Sequence, residues 1–233
     1  MSHGKPIHLR PTAPLAERVL LPGDPGRALA LAQALLSDPR MFNHHRGLWG
    51  YTGAAADGRP LTIQATGMGG PSAAIVLWEL IGLGARRAIR VGTCGALARG
   101  LELGQLVLAR EAICADGTSR ALGAGARVGA DEGLTEALAR AAPASALGPV
   151  LSVDLFYEPD GGARRAPPED ALAVEMEAAA LFAVGAAARV PVACVLAVSD
   201  TFDARGERTR IEDAPLLDAA ERMGRAAIAA LTP

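Results

Sequence analysis

The sequence predicts an α/β fold, and three observations support that prediction. Short apolar or β-branched runs alternate along the chain with longer stretches rich in Ala and Leu. Most of the short runs end on Gly, Ser or Asp, which is typical of strand ends. The chain has 233 residues, of which 50% are hydrophobic, so it is long enough to bury a sizeable core. We therefore expect one α/β domain over residues 1–233.

Six short runs are predicted to be strands because they are apolar and end on residues that favour turns. In chain order they are "RVLLPG" (18–23), "LTIQATG" (61–67), "AIRVG" (88–92), "QLVLARE" (105–111), "LAVEME" (172–177) and "PVACVLAVS" (191–199).

Five longer stretches have helical spacing and good helix-forming residues. They are "GRALALAQALL" (26–36), "PSAAIVLWELIGLG" (71–84), "DEGLTEALARAA" (131–142), "MEAAALFAVGAAARV" (176–190) and "PLLDAAERMGRAAIAAL" (215–231). This alternation predicts a largely parallel sheet covered by helices on both faces, with functional residues beyond the carboxyl ends of the strands. The Gly-rich stretches 115–132 and 158–170 are read as surface connections, or else as a lid over the site.

Bulk properties exclude several classes of protein. A formal net charge of -2 gives no basic field for nucleic acid, and the most apolar run, at 191–199, is too short to span a bilayer. Three scattered cysteines form neither a disulfide framework nor a metal-binding spacing, and the N-terminal residues lack the apolar core of a secretory signal. We therefore expect a soluble cytoplasmic protein. The four histidines have no partner carboxylates or thiolates at ligand spacing, so no metal site is predicted.

The first stretch that suggests chemistry is "LLPGDPGRA" (20–28), where a predicted strand turns into a predicted helix. A turn of this kind places free backbone N–H groups at the start of a helix, and Arg27 follows in the first helical turn. That arrangement suits an anion of the size of phosphate. An ordinary β-to-α turn with Asp24 as the N-cap explains the same residues equally well.

Arginine also precedes a second glycine turn, in "RVGTCGAL" (90–97). A strand that ends on glycines allows the backbone to approach a ligand closely, and Arg90 suggests that this ligand is an anion. The Gly-Met-Gly-Gly turn at 67–70 also permits close approach, although it fits neither the dinucleotide nor the Walker spacing. Arg46, in "NHHRG", is read from its own segment as a solvated arginine.

Three acidic residues lie at predicted strand ends. If residues 174–177 end a strand, Glu175 and Glu177 point to the same side, where a ligand with hydroxyl donors could satisfy them. Capping of the following helix explains one of these two carboxylates. Asp200 follows the most apolar predicted strand, in a position that suggests a functional acid.

These motifs together resemble the nucleoside phosphorylase-I superfamily, and most closely its hexameric bacterial purine nucleoside phosphorylases. The motifs that carry the resemblance are "LPGDPGR", "NHHRG", "GMGGPS", "RVGTCGAL", "SVDLFYEPDG", "VEMEAAALF" and "AVSD", in order from about residue 7 to about residue 208. The resemblance implies a single-domain three-layer α/β/α fold whose mixed central sheet closes partly into a barrel. It also implies phosphorolysis of purine nucleosides, with inorganic phosphate as co-substrate and no cofactor.

The resemblance implies a role for each matching position. The phosphate would be bound by Gly23, Arg27, Arg90 and Thr93, with Arg46 reaching it from a neighbouring subunit. His8 of a neighbouring subunit would touch the ribose, so the active oligomer, taken to be a hexamer, would have sites completed across subunit contacts. The remaining contacts to the nucleoside would come from Met68, Phe156, Glu175, Met176 and Glu177, of which Phe156 would stack on the base.

Asp200 matches the acid that protonates N7 of the departing purine, and Arg208 is the best match for the arginine that assists it. The interval from Asp200 to Arg208 is several residues shorter than in the bacterial hexameric enzymes, and "DARGERTRIED" is also explained by a solvated charge run. A second departure is Thr201, because relatives carry histidine at this position near the 5′-hydroxyl. Preference at the 5′ end of the nucleoside therefore stays open.

Three alternative activities remain open at this stage. Uridine phosphorylases share the phosphate pocket and bind uracil through Gln and Arg side chains after the "FY" segment, where this chain has Arg164 and Arg165 but no glutamine. Phosphate-independent nucleosidases that act on methylthioadenosine-like substrates tend to lack the arginines found here at 27 and 90. A non-catalytic binding homologue would need the pocket without Asp200.

Overall fold

A computed structural model describes residues 6–157, 166–203 and 205–232, which contain eleven strands and six α-helices. The strands are β1 Arg18–Leu21, β2 Ser37–Asn43, β3 Gly50–Ala54, β4 Pro60–Gln64, β5 Arg87–Ala96, β6 Leu106–Ala115, β7 Arg127–Gly129, β8 Ala146–Val153, β9 Ala173–Glu175, β10 Val192–Phe202 and β11 Arg208–Arg210. The helices are α1 Pro25–Leu35, α2 Gly70–Leu83, α3 Gly117–Ala121, α4 Glu132–Ala141, α5 Ala178–Ala188 and α6 Asp213–Leu231. A short 3₁₀ turn covers His45–Gly47.

The strands form one mixed sheet that closes partly into a barrel. Its order is β11-β10-β6-β8-β9-β5-β1-β4-β3-β2, with β7 beside β6, and β10 also pairs with β5. That extra pairing closes β5, β10, β6, β8 and β9 into a ring. The mixed, partly barrel-like α/β fold implied by the family resemblance is therefore confirmed.

The expectation of a largely parallel sheet is wrong. Strand β10 runs parallel to β5 but antiparallel to β6, and β2, β3 and β4 form an antiparallel meander. The alternation of strands and helices predicts the parallel pairs β1–β4 and β1–β5 correctly. It does not predict the antiparallel pairs, because β2, β7 and β11 lie outside the six predicted runs and because local pattern does not specify the direction in which β9 pairs with β5 or β6 with β10.

Helices cover both sides of the sheet, and alternate residues of each central strand face different cores. In β1, Val19 and Leu21 pack into one core with residues of α2 and α5, whereas Leu20 packs into the other with residues of α1, α4 and α6. The same alternation separates Val198 from Ala197 in β10. The layers therefore follow from the two-residue period of the strands.

All six predicted strands and all five predicted helices are present, with boundaries shifted by a few residues. Strands β2 and β8 lie outside the six predicted runs, because Pro39, Gly148 and Pro149 interrupt their apolar patterns. The stretch 115–132, expected to be a surface connection or a lid, instead contains α3 and β7. Most of the second expected connection, residues 158–165, lies outside the described residues.

A bulge in β10 sets the position of the acidic residue at its end. Val198 pairs with Cys94 and Asp200 with Gly95, so Ser199 is an extra residue on β10. Such a bulge redirects the side chains that follow it. Because β1 and β5 run parallel to β10, the turn after β1, the glycines of β5 and Asp200 lie towards the same end of the sheet.

Candidate functional site

The turn between β1 and α1 forms the first wall of the candidate site. The Asp24 side chain accepts a hydrogen bond from the Arg27 backbone N–H at 2.7 Å, and Pro25 begins the helix, so the N-cap expected from the sequence is present. A Cβ atom at Gly23 would lie 3.5 Å from the Gly67 carbonyl oxygen and 4.0 Å from Arg90 Nη1. The glycine therefore brings this turn close to both the second glycine turn and the buried arginine.

Arg90 lies on β5 and is only 3% exposed. Its guanidinium folds over Gly92, where a Cβ atom would come within 2.6 Å of Arg90 Cζ. Two carboxylates hold it: Nε is 3.1 Å from Glu175 Oε2, and Nη2 is 2.5 Å from Glu177 Oε2. Burial alone would lower the pKa of Arg90, but the charges of Glu177 and Glu175 outweigh burial and raise it.

The remaining nitrogen of Arg90, Nη1, is buried and has no hydrogen-bond partner. A buried donor without a partner costs about 1–3 kcal/mol, so an unpaired guanidinium nitrogen at this position indicates a place for a ligand. Since Nη1 is the guanidinium atom nearest to a Gly23 Cβ position, its free side faces the turn after β1. The group that would satisfy it is an acceptor, and an anion would do so best.

Arg27 contributes a second guanidinium to the same place. Its side chain is half-buried and makes no hydrogen bond or ion pair within the described residues. Burial lowers the pKa of Arg27; the nearby charge of Arg90 lowers it further, while that of Asp24 opposes the shift. Two like charges in a partly buried pocket are stabilised by an anion between them, and guanidinium groups offer planar two-point contacts to an oxyanion.

Thr93, three residues after Arg90, is half-buried on β5, and its hydroxyl makes no hydrogen bond within the described residues. In a regular strand the side chains at positions 90 and 93 point to opposite faces. Thr93 therefore has a free hydroxyl within the described residues, and no contact there joins it to Arg27 or Arg90.

Glu175 has its acceptor capacity filled by the protein. Besides Arg90, its carboxylate accepts hydrogen bonds from the Ser152 hydroxyl at 2.5 Å and from the backbone N–H groups of Glu177 and Ala178. It therefore caps α5, as the alternative sequence interpretation expected for one of the two acids. Burial raises the pKa of Glu175, and Arg90 opposes that rise.

Glu177 connects Arg90 to the second glycine turn. Its Oε1 atom accepts a hydrogen bond from the Gly69 backbone N–H at 2.6 Å, while Oε2 contacts Arg90. The two methionines of the candidate site differ: the Met68 side chain is 87% exposed, whereas Met176 is partly buried against the small cluster around Leu151.

Asp200 and Arg208 are in direct contact despite the shortened interval between them. Arg208 Nε donates to Asp200 Oδ1 at 2.6 Å, and the Ser199 hydroxyl lies 2.6 Å from Oδ2. The Arg208 guanidinium also lies 5.1 Å from the centre of the Phe156 ring. Arg208 is thus not part of a freely solvated charge run, and it brings the acid and the candidate base-stacking residue together.

His8 lies in the N-terminal segment and Arg46 in the 3₁₀ turn that this segment contacts. His8 Nδ1 is 2.7 Å from Glu79 Oε1 on α2, and the His8 carbonyl oxygen is 3.0 Å from His45 Nδ1. Arg46 is exposed in the adjacent 3₁₀ turn with a φ of 59°, and it makes no hydrogen bond or ion pair within the described residues. The two side chains expected to serve a neighbouring subunit therefore share one surface region.

Several polar residues at this site were missed by sequence reasoning. Ser152 and Ser199 each support a carboxylate of the site, and Arg210 Nη1 lies 3.6 Å from Asp200 Oδ1. Arg208 and Arg210 belong to the alternating stretch "RTR", so a strand assignment there would have placed both on one face. Arg164 and Arg165, on which the uridine alternative depended, lie outside the described residues.

No helix within the described ranges is both long and apolar enough to cross a membrane. Among the same residues, no group of three or more His, Cys, Asp or Glu side chains is arranged to hold a metal ion. The cysteines Cys94, Cys114 and Cys194 are all buried and free.

Comparison with known proteins gives consistent matches over most of the chain. A family model described as "Phosphorylase superfamily" matches residues 17–232. A protein named "Purine nucleoside phosphorylase DeoD-type" from Alkaliphilus metalliredigens is 37% identical over 207 residues, covering 85% of this chain and 88% of its own. Proteins of the same name from Clostridium beijerinckii and Geobacillus kaustophilus are 36% and 34% identical, covering 90% and 87% of this chain and 92% and 88% of their own.

Proposed function

Because the chain belongs to the phosphorylase superfamily, we propose that it catalyses the phosphorolysis of purine ribonucleosides and deoxyribonucleosides to the free base and (deoxy)ribose 1-phosphate. One observation carries this proposal beyond the similarity. The unpaired Nη1 of Arg90 and the unpaired guanidinium of Arg27 accompany the glycine turn after β1, and together they make a pocket for a tetrahedral anion.

Phosphate is the first substrate that this pocket would bind. It carries roughly two negative charges, so several fixed cations and N–H groups are needed to order it against water. In our proposal these groups are the side chains of Arg27 and Arg90, the Gly23 backbone and the Thr93 hydroxyl. Arg46 would reach the same phosphate from a neighbouring subunit.

The nucleoside would lie between the phosphate and the acid. Each oxygen of a carboxylate has two lone pairs, so Glu177 can accept a ribose hydroxyl while it keeps its bonds to Gly69 and Arg90. Glu175 would act next to it, chiefly by holding Arg90. Met68 and Met176 would pack on the sugar, and Phe156 would stack on the base beside Arg208.

Cleavage of the glycosidic bond builds positive charge on the sugar and negative charge on the base. A phosphate oxygen attacks C1′, the bond from C1′ to N9 breaks, and its electron pair passes to the purine. Protonated Asp200 delivers a proton to N7, and Arg208 stabilises the carboxylate that remains through the Nε to Oδ1 contact. Phosphate is thus both the nucleophile and the electrostatic partner of the sugar cation.

We further propose that residues 1–233 act as one domain within a homohexamer in the cytoplasm, in purine salvage. One hydrogen-bonded sheet containing all the described strands supports the single domain, and the buried free cysteines suit a reducing compartment. The exposed apolar side chains of Ile7 and Tyr157 are suited to subunit contacts. Inorganic phosphate is the co-substrate, and no cofactor is required.

A single assay tests the proposed activity. Purified protein is incubated with inosine, adenosine, uridine or methylthioadenosine, with and without phosphate, and the release of free base is measured. Phosphate-dependent release from a purine nucleoside supports the proposal. Release only from uridine selects a uridine phosphorylase, release without phosphate selects a hydrolase, and no release from any substrate selects a binding protein.

A further inference from the structure

Glu79, on α2, is bound by the N-terminal segment of the chain in an unusually complete way. Its carboxylate accepts hydrogen bonds from the backbone N–H groups of Ile7 at 3.0 Å, His8 at 3.0 Å and Leu9 at 2.7 Å. The same carboxylate contacts the imidazole Nδ1 of His8 at 2.7 Å. Three consecutive N–H groups and one side chain therefore converge on a single anion, which resembles the way that backbone nests bind anions.

The charge of Glu79 is stabilised by this arrangement. Its side chain is only 14% exposed, and burial alone would raise the pKa of Glu79. The hydrogen bonds from His8, Leu9 and Ile7 outweigh burial and lower the pKa below its usual value. At neutral pH the imidazole of His8 therefore faces a carboxylate.

A carboxylate accepts hydrogen bonds and does not donate them, so the proton of neutral His8 lies on Nδ1. Nε2 then carries a lone pair, and it makes no hydrogen bond within the described residues. The ring is partly exposed, with 29% of the His8 side chain accessible. Its backbone is also fixed, because the N–H donates to Glu79 and the carbonyl oxygen contacts His45 Nδ1.

We propose that Glu79 is a positioning residue for substrate binding: it fixes the tautomer and orientation of His8, so that Nε2 accepts a hydrogen bond from a ribose hydroxyl bound in the neighbouring subunit. This inference rests on the proposed function, which assigns His8 to a neighbour's ribose. To that assignment it adds Glu79 as the carboxylate that makes Nε2 of His8 an acceptor. A carboxylate behind an imidazole commonly fixes its tautomer and direction in this way.

The test uses the intact oligomer and compares Glu79→Gln with His8→Ala. A glutamine has nearly the same shape, but its NH₂ group would face the N–H of Leu9 at the Oε2 position or those of Ile7 and His8 at the Oε1 position. Either orientation breaks the set of hydrogen bonds that fixes His8. Values of kcat/KM are measured for inosine and for its 2′-deoxy, 3′-deoxy and 5′-deoxy analogues. Glu136→Gln, which makes the same chemical change on the exposed surface of α4, is the matched control.

The wild type and E136Q should discriminate against the analogue that lacks the hydroxyl bound by His8. H8A should lose that discrimination by about 3- to 10-fold, as expected for one hydrogen bond, and E79Q should lose it for the same analogue and no other. The double variant H8A/E79Q should show the same discrimination as H8A, because Glu79 acts through His8. A general structural role would instead lower kcat/KM equally for all four nucleosides.

The experiment distinguishes a failure of the role proposed for Glu79 from a failure of the role proposed for His8. If H8A loses the discrimination and E79Q keeps it, the role of Glu79 is overturned while the proposed function stands. If H8A keeps discrimination against every analogue, the assignment of His8 to a neighbour's ribose is overturned, and the role of Glu79 with it. If E79Q does not fold, as judged by thermal unfolding and oligomer size, E79D replaces it, since a shorter carboxylate keeps the charge but withdraws from Nδ1.

Discussion

Adding a single methyl group beside Arg90 should disable the phosphate pocket. In Gly92→Ala the new Cβ atom would lie 2.6 Å from Arg90 Cζ and 2.7 Å from Nη2, whereas ordinary contact begins at 3.4 Å. The guanidinium must therefore retreat by about 0.8 Å or more, a displacement that a 2.5 Å contact with Glu177 cannot absorb. Loss of one charge-assisted hydrogen bond costs about 1.5–3 kcal/mol, which corresponds to a fall of roughly 10- to 100-fold in kcat/KM for phosphate.

The assay is inosine phosphorolysis with phosphate as the varied substrate. Gly129→Ala is the matched control, because Gly129 also lies in a strand and a Cβ atom there would meet nothing within 4 Å. We expect the control to match the wild type and Gly92→Ala to lose activity towards phosphate while it remains folded. A Gly92→Ala enzyme whose kcat/KM for phosphate stays within about twofold of the wild type would refute the role assigned to Arg90.

Asp200→Asn removes the proton donor, so we expect the cleavage of inosine to slow about 100-fold or more, and the cleavage of nucleosides whose base leaves easily to slow far less. Equal slowing of both reactions in steady-state assays would contradict the acid role. Arg27→Gln removes one of the two guanidinium groups proposed to bind phosphate, so the KM for phosphate should rise about 10-fold, with little change in the KM for inosine; an unchanged KM for phosphate would remove Arg27 from the pocket. The hydrogen bonds from Arg18 hold the pKa of Asp57 well below its usual value, so this pair stabilises the fold above the ordinary pKa and loses that effect as the pH falls. Urea unfolding should therefore show Asp57→Asn about 1–3 kcal/mol less stable at neutral pH, with the difference narrowing below about pH 4; a difference that does not vary with pH would contradict this account.

The local parts of the fold could be predicted from the sequence. The Pro-Gly-Asp-Pro-Gly stretch identifies the start of α1 because Asp24 can cap it and Pro25 fits the first turn. The alternation of Val19, Leu20 and Leu21 identifies a strand covered on both faces. Both signals depend only on neighbours in the sequence.

The partners across the sheet could not be predicted in the same way. The contact of Arg90 with Glu175 joins residues that are 85 positions apart, and it depends on the antiparallel pairing of β5 with β9. The contact of Asp200 with Arg208 depends on the register of β10 and β11, in which Asp200 pairs with Arg210 and Phe202 with Arg208. Periodicity cannot specify which strands pair, so the family resemblance, rather than local pattern, led to Arg208.

The binding of one phosphate ion by the Arg27 guanidinium and the unpaired Nη1 of Arg90 is the central claim, and a crystal structure at saturating phosphate tests it most directly. The account predicts tetrahedral density within hydrogen-bond distance of Arg90 Nη1, the Arg27 guanidinium and the backbone of the turn at Gly23. Density absent from that place, with the Arg27 and Arg90 side chains turned away from each other, would contradict it.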